Sequence, residues 1–271
     1  MNSKKRSDIS ANLMKIERDF HTHTTYSHGK GSVLDNALAA KSQGITEISI
    51  TDHGFSHPAF GMRRRKLDQM KADCLAAEKA TGVKVNLGIE SNLLGVSGAI
   101  DVKKRDYAKL DTIIAGIHRF VFYDTPRGWT TLLGVNMLHQ FLKIKPSKRL
   151  VDYNTRVYVN AIKNNPIDII THVGFLNFCD PLTVARCCED YGTYFEINTK
   201  KIHMSVDEWR DVIDKTNVKF VIDSDAHSPS RVGEISLFEQ QDKIIHFPRE
   251  RIFNIEGRRP EFRFEQLKKK L

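Results

Sequence analysis

Short apolar segments rich in β-branched residues alternate along this chain with segments of helical periodicity. Helical spacing covers residues 33–43, 65–81 and 205–215, and Gly44 and Gly82 follow the first two, where glycine commonly ends a helix. Strands that alternate with helices indicate parallel strands in an α/β fold. The seven strand-like segments are a short one that ends at His21, then residues 47–51, 84–89, 112–117, 167–171, 193–197 and 218–222.

Seven such units fit a barrel better than the two halves of an open sheet, although the pattern alone does not close the barrel. No internal repeat, linker or low-complexity tract divides the 271 residues, so we expect one domain over residues 1–271. Residues 119–163 form the longest interval between predicted strands. A turn is predicted at residues 124–128 and an amphipathic helix at 132–145, and we interpret the interval as an inserted lid.

The bulk composition favours anionic partners. Lys and Arg number 42 against 33 Asp and Glu, which gives a formal charge of +9 and a pI near 9.3. Phosphate esters, nucleic acid and acidic surfaces are the partners such a balance attracts, although most of the short basic clusters are typical of a solvated surface. The chain has no apolar run of 18 residues, so no membrane partner is expected. The polar N-terminal segment does not resemble a signal peptide, so we expect a cytoplasmic protein.

The four cysteines do not predict a disulfide framework or a thiolate metal site. None belongs to a CxxC pair, and two of them are adjacent, which makes them a poor chelating pair. We expect reduced thiols that contribute to packing. They are Cys74, Cys179, Cys187 and Cys188.

Histidines and acidic residues follow the predicted strands one after another. In parallel α/β barrels the carboxyl ends of the strands converge on one face, and that face carries the active site. Seven of the eleven histidines fall at these ends. The nine residues that the pattern selects as metal ligands are His21, His23, His28, His53, Glu90, His118, His172, Asp225 and His227.

The spacing within this set favours metal binding. Residues i and i+2 of an extended chain point to the same side, so His21 and His23, or Asp225 and His227, can bind one ion together. Imidazole and carboxylate ligands without thiolates suit Zn, Mn or Fe and do not resemble a structural zinc finger. Nine ligands exceed the needs of one ion, and three divalent ions with one bridging carboxylate would use them all. Four histidines outside the pattern are interpreted as packing residues: His57, His139, His203 and His246.

The ordered series of motifs resembles the PHP family, named for polymerase and histidinol phosphatase, and most closely its stand-alone phosphatase branch. The resemblance runs over about residues 19–253, and an ordered series of this length is far more specific than any single motif. The matching segments are His21-Thr22-His23-Thr24, Thr51-Asp52-His53-Gly54, Gly88-Ile89-Glu90, Gly116-Ile117-His118, Thr171-His172 and Ser224-Asp225-Ala226-His227.

This resemblance implies a distorted (β/α)7 barrel, a trinuclear metal site and phosphoesterase activity. It assigns Glu90 as the bridge between the first two ions, with His118 and His172 on the second. Many family members carry Asp where this chain has His28, so the third ion could differ in metal preference. The first ion would take His21, His23, Glu90 and Asp225, and the third would take His28, His53 and His227.

The expected mechanism is hydrolysis by a metal-activated hydroxide, with an arginine that binds the phosphoryl oxygens. Arg119 directly follows His118, and Arg231 lies four residues after His227, so these two are the catalytic candidates. Acidic neighbours were also expected to orient the ligand imidazoles through hydrogen bonds. These are Asp19, Asp52 and Glu196.

Three functions remain open from the sequence. A phosphatase acting on a small phosphomonoester is favoured because the basic clusters do not fall into one line. A nuclease or nucleotide phosphodiesterase is the first alternative, since nucleic acid would suit the basic charge, and aromatic residues lie near Arg119 and Arg127. A metal-binding module without catalysis is the second alternative. The substrate, the native metal and the oligomeric state do not follow from the sequence.

Overall fold

The computed structural model describes residues 14–270, and its centre is a single sheet of seven parallel strands. Each strand pairs with the next one in the chain, so the order in space is the order in sequence. This is the topology expected of repeated strand–helix units. The strands are β1 (Arg18–Thr22), β2 (Glu47–Ile50), β3 (Lys84–Asn92), β4 (Thr112–Gly116), β5 (Ile169–Ile170), β6 (Tyr194–Asn198) and β7 (Phe220–Asp223).

The two edge strands approach each other and nearly close the sheet into a barrel. Thr22 and Ala226 form a parallel bridge, and the His23 amide donates to the Ala226 carbonyl at 2.8 Å. The Phe20 amide donates to the Asp223 carboxylate at 2.7 Å. The predicted (β/α)7 barrel is confirmed, and its nearly closed form brings all seven carboxyl ends of the strands to one face.

Helices follow the strands and cover the outside of the sheet. Capping matches the sequence signals: Gly44 and Gly82 both take left-handed backbone conformations where α1 and α2 end. The helices are α1 (Val33–Gln43), α2 (Leu67–Thr81), α3 (Pro126–Gly128), which continues through a π-helical segment (Trp129–Val135) into α4 (Asn136–Phe141), then α5 (Lys148–Asn164), α6 (Pro181–Tyr191), α7 (Val206–Lys215), α8 (Ser236–Ile245) and α9 (Arg263–Lys268). Within residues 14–270 no helix has the length and apolar character needed to cross a membrane.

The predicted strands and helices agree with the structure to within a few residues, with one larger difference. The interval 119–163 is less irregular than expected, because its last part forms the 17-residue helix α5, capped by Ser147. The predicted amphipathic helix at 132–145 divides into a π-helical segment and the short α4. Only residues 119–147 therefore remain for an inserted segment.

Two groups of apolar side chains hold the barrel together. The larger group lies between the sheet and the helices. The smaller group lies on the other face of the sheet, in the barrel interior, and comes from β1, from the neighbouring strands β4 to β7 and from one residue after them; it consists of Phe20, Ile114, Ile169, Tyr194, Val221 and Phe262. All four cysteine thiols are free, and Cys74, Cys187 and Cys188 are buried, in line with their predicted packing role.

Candidate metal centre

Glu90, near the carboxyl end of β3, lies at the centre of the nine predicted ligands. Its Oε1 is 3.0 Å from His118 Nε2 and 2.8 Å from His172 Nε2. Its Oε2 is 2.8 Å from His53 Nδ1. The fully buried carboxylate thus faces two imidazoles with Oε1 and a third with Oε2, which is the arrangement that a bridging carboxylate needs.

A second group forms where β1 meets the end of β7. His21 Nε2 and His23 Nε2 lie 3.1 Å apart, and both face Asp225 Oδ1, at 3.8 and 3.4 Å. His21 Nε2 also lies 3.4 Å from Glu90 Oε1. The same-side geometry expected of His21 and His23 is therefore present.

A third group consists of imidazoles alone. The ring centroid of His28 lies 4.7 Å from that of His53, in a stacked arrangement, and 4.4 Å from that of His227. His23, His53 and His227 have ring nitrogens within 4.8 Å of one another. The His28 ring lies beside this group of three.

The chemistry of these donors fits divalent metal ions. Burial holds the pKa of His53 at about 3 and that of His28 at about 4, so both rings are neutral near pH 7 and have a lone pair to give. Burial alone would raise the pKa of Glu90, but the surrounding histidines bring it well below its usual range. His53 Nδ1 and Glu90 Oε2, although 2.8 Å apart, lack hydrogen-bond geometry, which leaves two buried polar atoms for another partner.

Hydrogen bonds behind the ligands fix the orientation of two rings. His21 Nδ1 lies 2.5 Å from Glu196 Oε1, and because a carboxylate only accepts, this nitrogen donates and Nε2 is the nitrogen left for a metal. His118 Nδ1 lies 2.8 Å from Asn92 Oδ1, whose amide nitrogen donates to Asp101 at 2.6 Å. Both imidazoles therefore present Nε2 to the centre, as ligand histidines do when a partner holds the other nitrogen.

The backbone is unusual at two of the ligand residues. His172 has φ of 29° and Asp225 has φ of 47°, a region that residues with a side chain rarely adopt. Beside His172, Gly116 has no room for a side chain, because a Cβ there would lie 2.4 Å from Thr171 Oγ1 and 2.9 Å from the His172 ring. Strain and close packing of this kind concentrate at functional sites.

Of the three acidic residues expected to orient imidazoles, only Glu196 touches one. Asp52 instead accepts hydrogen bonds from Thr24, at 2.8 Å from its amide and 2.6 Å from its hydroxyl, and from Ser27. Asp19 accepts from the amide and hydroxyl of Ser224 at 3.1 and 2.5 Å. These two carboxylates instead hold the loops that carry ligand residues. The prediction that they contact an imidazole was wrong.

The side chains of the two candidate arginines form no hydrogen bond or ion pair with the nine ligand residues. Arg119 donates to Gln140, and Arg231 pairs with Glu234 at 2.6 Å. The cation that does reach the cluster is Lys200, which follows β6; its Nζ lies 3.1 Å from Asp225 Oδ1 and 2.8 Å from His227 Nδ1. Sequence reasoning missed Lys200 because β6 ends in no histidine, although its place just after a strand was a usable signal.

The four histidines predicted to be packing residues have separate environments. His139 and His203 use Nδ1 on backbone carbonyls, at 3.2 and 2.8 Å, and His246 ends α8 in a left-handed conformation. His57 accepts from the Phe60 amide at 3.0 Å, but its ring centroid is only 6.5 Å from that of His53. His57 is thus the nearest of the four to the cluster.

Comparison with known proteins supplies independent information. The model of the PHP domain family matches residues 19–219. A protein of Caldanaerobacter subterraneus subsp. tengcongensis named "Probable phosphatase" is 29% identical over 89% of this chain and 88% of its own length. Another of that name from Thermoanaerobacter sp. strain X514 is 30% identical over 86% of each chain.

Solved structures with a similar fold include one phosphatase complex. It is the histidinol phosphate phosphatase of Lactococcus lactis subsp. lactis, solved with zinc, L-histidinol and phosphate. The TM-score is 0.59, with 15% sequence identity, and the match covers 92% of this chain and 100% of that one. At this identity the likeness concerns the fold.

Proposed function

Because this chain belongs to the PHP domain family and is a metal-dependent phosphoesterase, we propose that it hydrolyses a small phosphomonoester at the cluster around Glu90. The observation that carries the proposal is the arrangement of imidazoles on both oxygens of one fully buried carboxylate. Bound divalent ions would supply there an activated water near neutral pH and positive charge for the phosphoryl oxygens.

The ligand set supports three ions. Glu90 would be shared by the first two, and His28, which lies beside His53 and His227, would complete the third. The remaining members divide as their contacts do: His21, His23 and Asp225 with the first ion, and His118 and His172 with the second. Zn, Mn and Fe all suit this mixture of imidazole and carboxylate.

Lys200 is the protein cation best placed to bind a phosphoryl oxygen. Its ammonium group lies between Asp225 and His227, at 3.1 and 2.8 Å, on the edge of the cluster. Hydrogen bonds from a cation to an anionic oxygen are among the stronger ones. Arg119 and Arg231 could also bind the phosphoryl group, but Arg119 would first have to leave Gln140 and Arg231 would have to leave Glu234.

Residues 119–147 are proposed as the lid that selects the substrate. They begin directly after the ligand His118, and the Phe122 amide donates to the Ser56 carbonyl in the loop after His53. Asn136 and Asn154 exchange two hydrogen bonds, which attach the segment to α5. A segment held at these two points beside the ligand His118 fits a small substrate better than a long polymer.

The test is phosphate release from a panel of phosphomonoesters, including L-histidinol phosphate and p-nitrophenyl phosphate, beside cleavage of a single-stranded 20-mer DNA followed by gel electrophoresis. We expect turnover of monoesters by the metal-loaded enzyme, loss on chelation, and recovery with Zn, Mn or Fe. The salt dependence should be shallow, because few phosphates are contacted. Degradation of the DNA without monoester turnover, and a steep loss with rising salt, would instead support the nuclease alternative.

A further inference from the structure

A cleft with a volume of about 850 Å³ lies away from the nine metal ligands, between the start of α5 and the start of α6. Four cationic side chains and two carboxylates line it. These charged residues are Arg127, Lys148, Arg149, Arg156, Asp152 and Asp180. Such a volume is within the range of sites for small ligands.

Both carboxylates in the cleft already have partners. Asp152 pairs with Lys148 at 2.8 Å, one turn apart on α5. Asp180 caps α6 by accepting from the Leu182 amide at 3.1 Å and from Thr183. Both carboxylates therefore already have partners within the protein, and Lys148 is the one cation of the four that is paired with them.

The three arginines have no such partner. Arg127, Arg149 and Arg156 have no carboxylate within 4 Å among residues 14–270, and all three are exposed. Arg127 lies over the Tyr153 ring, 5.1 Å from its centroid, which leaves its guanidinium edge free for hydrogen bonds. Three unpaired guanidinium groups around one concavity form an excess of positive charge without compensation from the protein.

The helix ends add to this positive field. The Asp180 amide donates to Thr155 Oγ1 at 2.8 Å, which holds the beginning of α6 against the first turns of α5. Both helices exceed ten residues, and their N-termini are the positive ends of their dipoles. The cleft therefore combines planar bidentate donors with the N-terminus of α5, whereas the Asp180 carboxylate already offsets the positive end of α6.

We infer that this cleft is a second anion site, which binds a small compound carrying two or more phosphoryl groups. Arginine in a fixed concavity matches the bidentate geometry of phosphate oxygens. The site is separate from the metal centre, since none of the nine metal ligands lines the cleft. Both sites lie on the carboxyl face of the barrel, because residues 172–180 run from the ligand His172, after β5, to Asp180 at the start of α6. A nucleic acid would need a basic track longer than this single cleft.

The test is calorimetric titration of the metal-loaded enzyme with sucrose octasulfate in 150 mM NaCl. Sulfate esters present the same oxygens as phosphate esters but lack the P–O bond that a phosphoesterase attacks. The variant R149Q/R156Q removes two unpaired cations from the cleft while keeping good helix formers. The control K41Q/K79Q removes the same charge from exposed positions on α1 and α2.

We expect one equivalent to bind the wild type, R149Q/R156Q to weaken the Kd at least tenfold, and K41Q/K79Q to change it less than twofold. Equal weakening in both variants, or no binding to the wild type, would each overturn the inference. None of these outcomes depends on the phosphatase activity, so the two proposals fail separately.

Discussion

Glu196→Gln is the substitution that tests the orientation of the metal ligands most closely. Glu196 Oε1 accepts from His21 Nδ1 at 2.5 Å, while Oε2 accepts from the His172 amide at 2.6 Å and from Asn198 at 3.1 Å. Glutamine keeps the size but replaces one acceptor by a donor. Because the His172 N–H cannot change its role, the amide oxygen should turn to it and the NH2 group should face His21.

The consequence falls on the tautomer of His21. Facing a donor, His21 Nδ1 would have to accept, which moves its proton to Nε2 and removes the lone pair that faces His23 and Asp225. Loss of such a supporting partner costs about 10–100-fold in metal affinity or activity. This factor corresponds to about 1.4–2.8 kcal/mol.

The assay is metal competition against a chromophoric chelator, followed by phosphate release at saturating metal. Glu239→Gln serves as the control, since Glu239 lies in α8 and its side chain has no hydrogen bond or ion pair within the described part of the chain. We expect weaker binding of one ion in Glu196→Gln and no change in the control. Metal affinity equal to wild type, in a variant that folds normally, would refute the proposed role of Glu196.

Four further predictions follow from the contacts. Glu90→Ala should lower the metal content by two ions per chain and His28→Ala by at most one, as elemental analysis will measure; equal losses would contradict the bridging role of Glu90. Lys200→Gln should lower kcat/KM about 10–100-fold, the factor expected for a lost hydrogen bond to a charged group, without changing metal content; an unchanged kcat/KM would remove Lys200 from the mechanism. Gly116→Ala should cost about 1–3 kcal/mol in urea unfolding, because its Cβ would meet Thr171 and His172, and a stability equal to wild type would show that the strand adapts. Burial raises the pKa of Asp168 to about 7, so its carboxyl group stays protonated in the folded state at pH values where the unfolded chain, with a pKa near 3.9, has lost the proton. The free energy of unfolding should therefore fall as pH rises between these two values. The difference in unfolding free energy between wild type and Asp168→Asn should be smaller at pH 7.5 than at pH 5.

Strand ends were the part of the site that the sequence could predict. Each strand is short, and its apolar run can be recognised in the sequence. Because parallel topology brings every carboxyl end to one face of the barrel, the sequence predicts that His53, Glu90, His118 and His172 lie together. The near closure of the barrel decides the rest, because only the approach of β1 to β7 brings Asp225 to His21 and His23.

Side-chain partners were harder to predict, because they depend on rotamers and on loops. Asp52 is adjacent in sequence to the ligand His53 but turns to Thr24 and Ser27, while Asn92 supports His118 from another strand. Arg119 is next to His118 and yet points to Gln140. Neighbouring residues on an extended chain point to opposite sides, so adjacency in sequence is a poor guide to contact.

The central claim is that the cluster around Glu90 binds divalent metal ions and uses them to hydrolyse a phosphomonoester. The most direct measurement is p-nitrophenyl phosphate turnover by one preparation before chelation, after chelation, and after stepwise return of Mn or Zn, with the bound metal counted at each step. We expect turnover to disappear with the metal and to return as bound metal approaches three ions per chain. Turnover that is unaffected by complete metal removal, or a fully loaded enzyme with no turnover of any phosphomonoester, would contradict it.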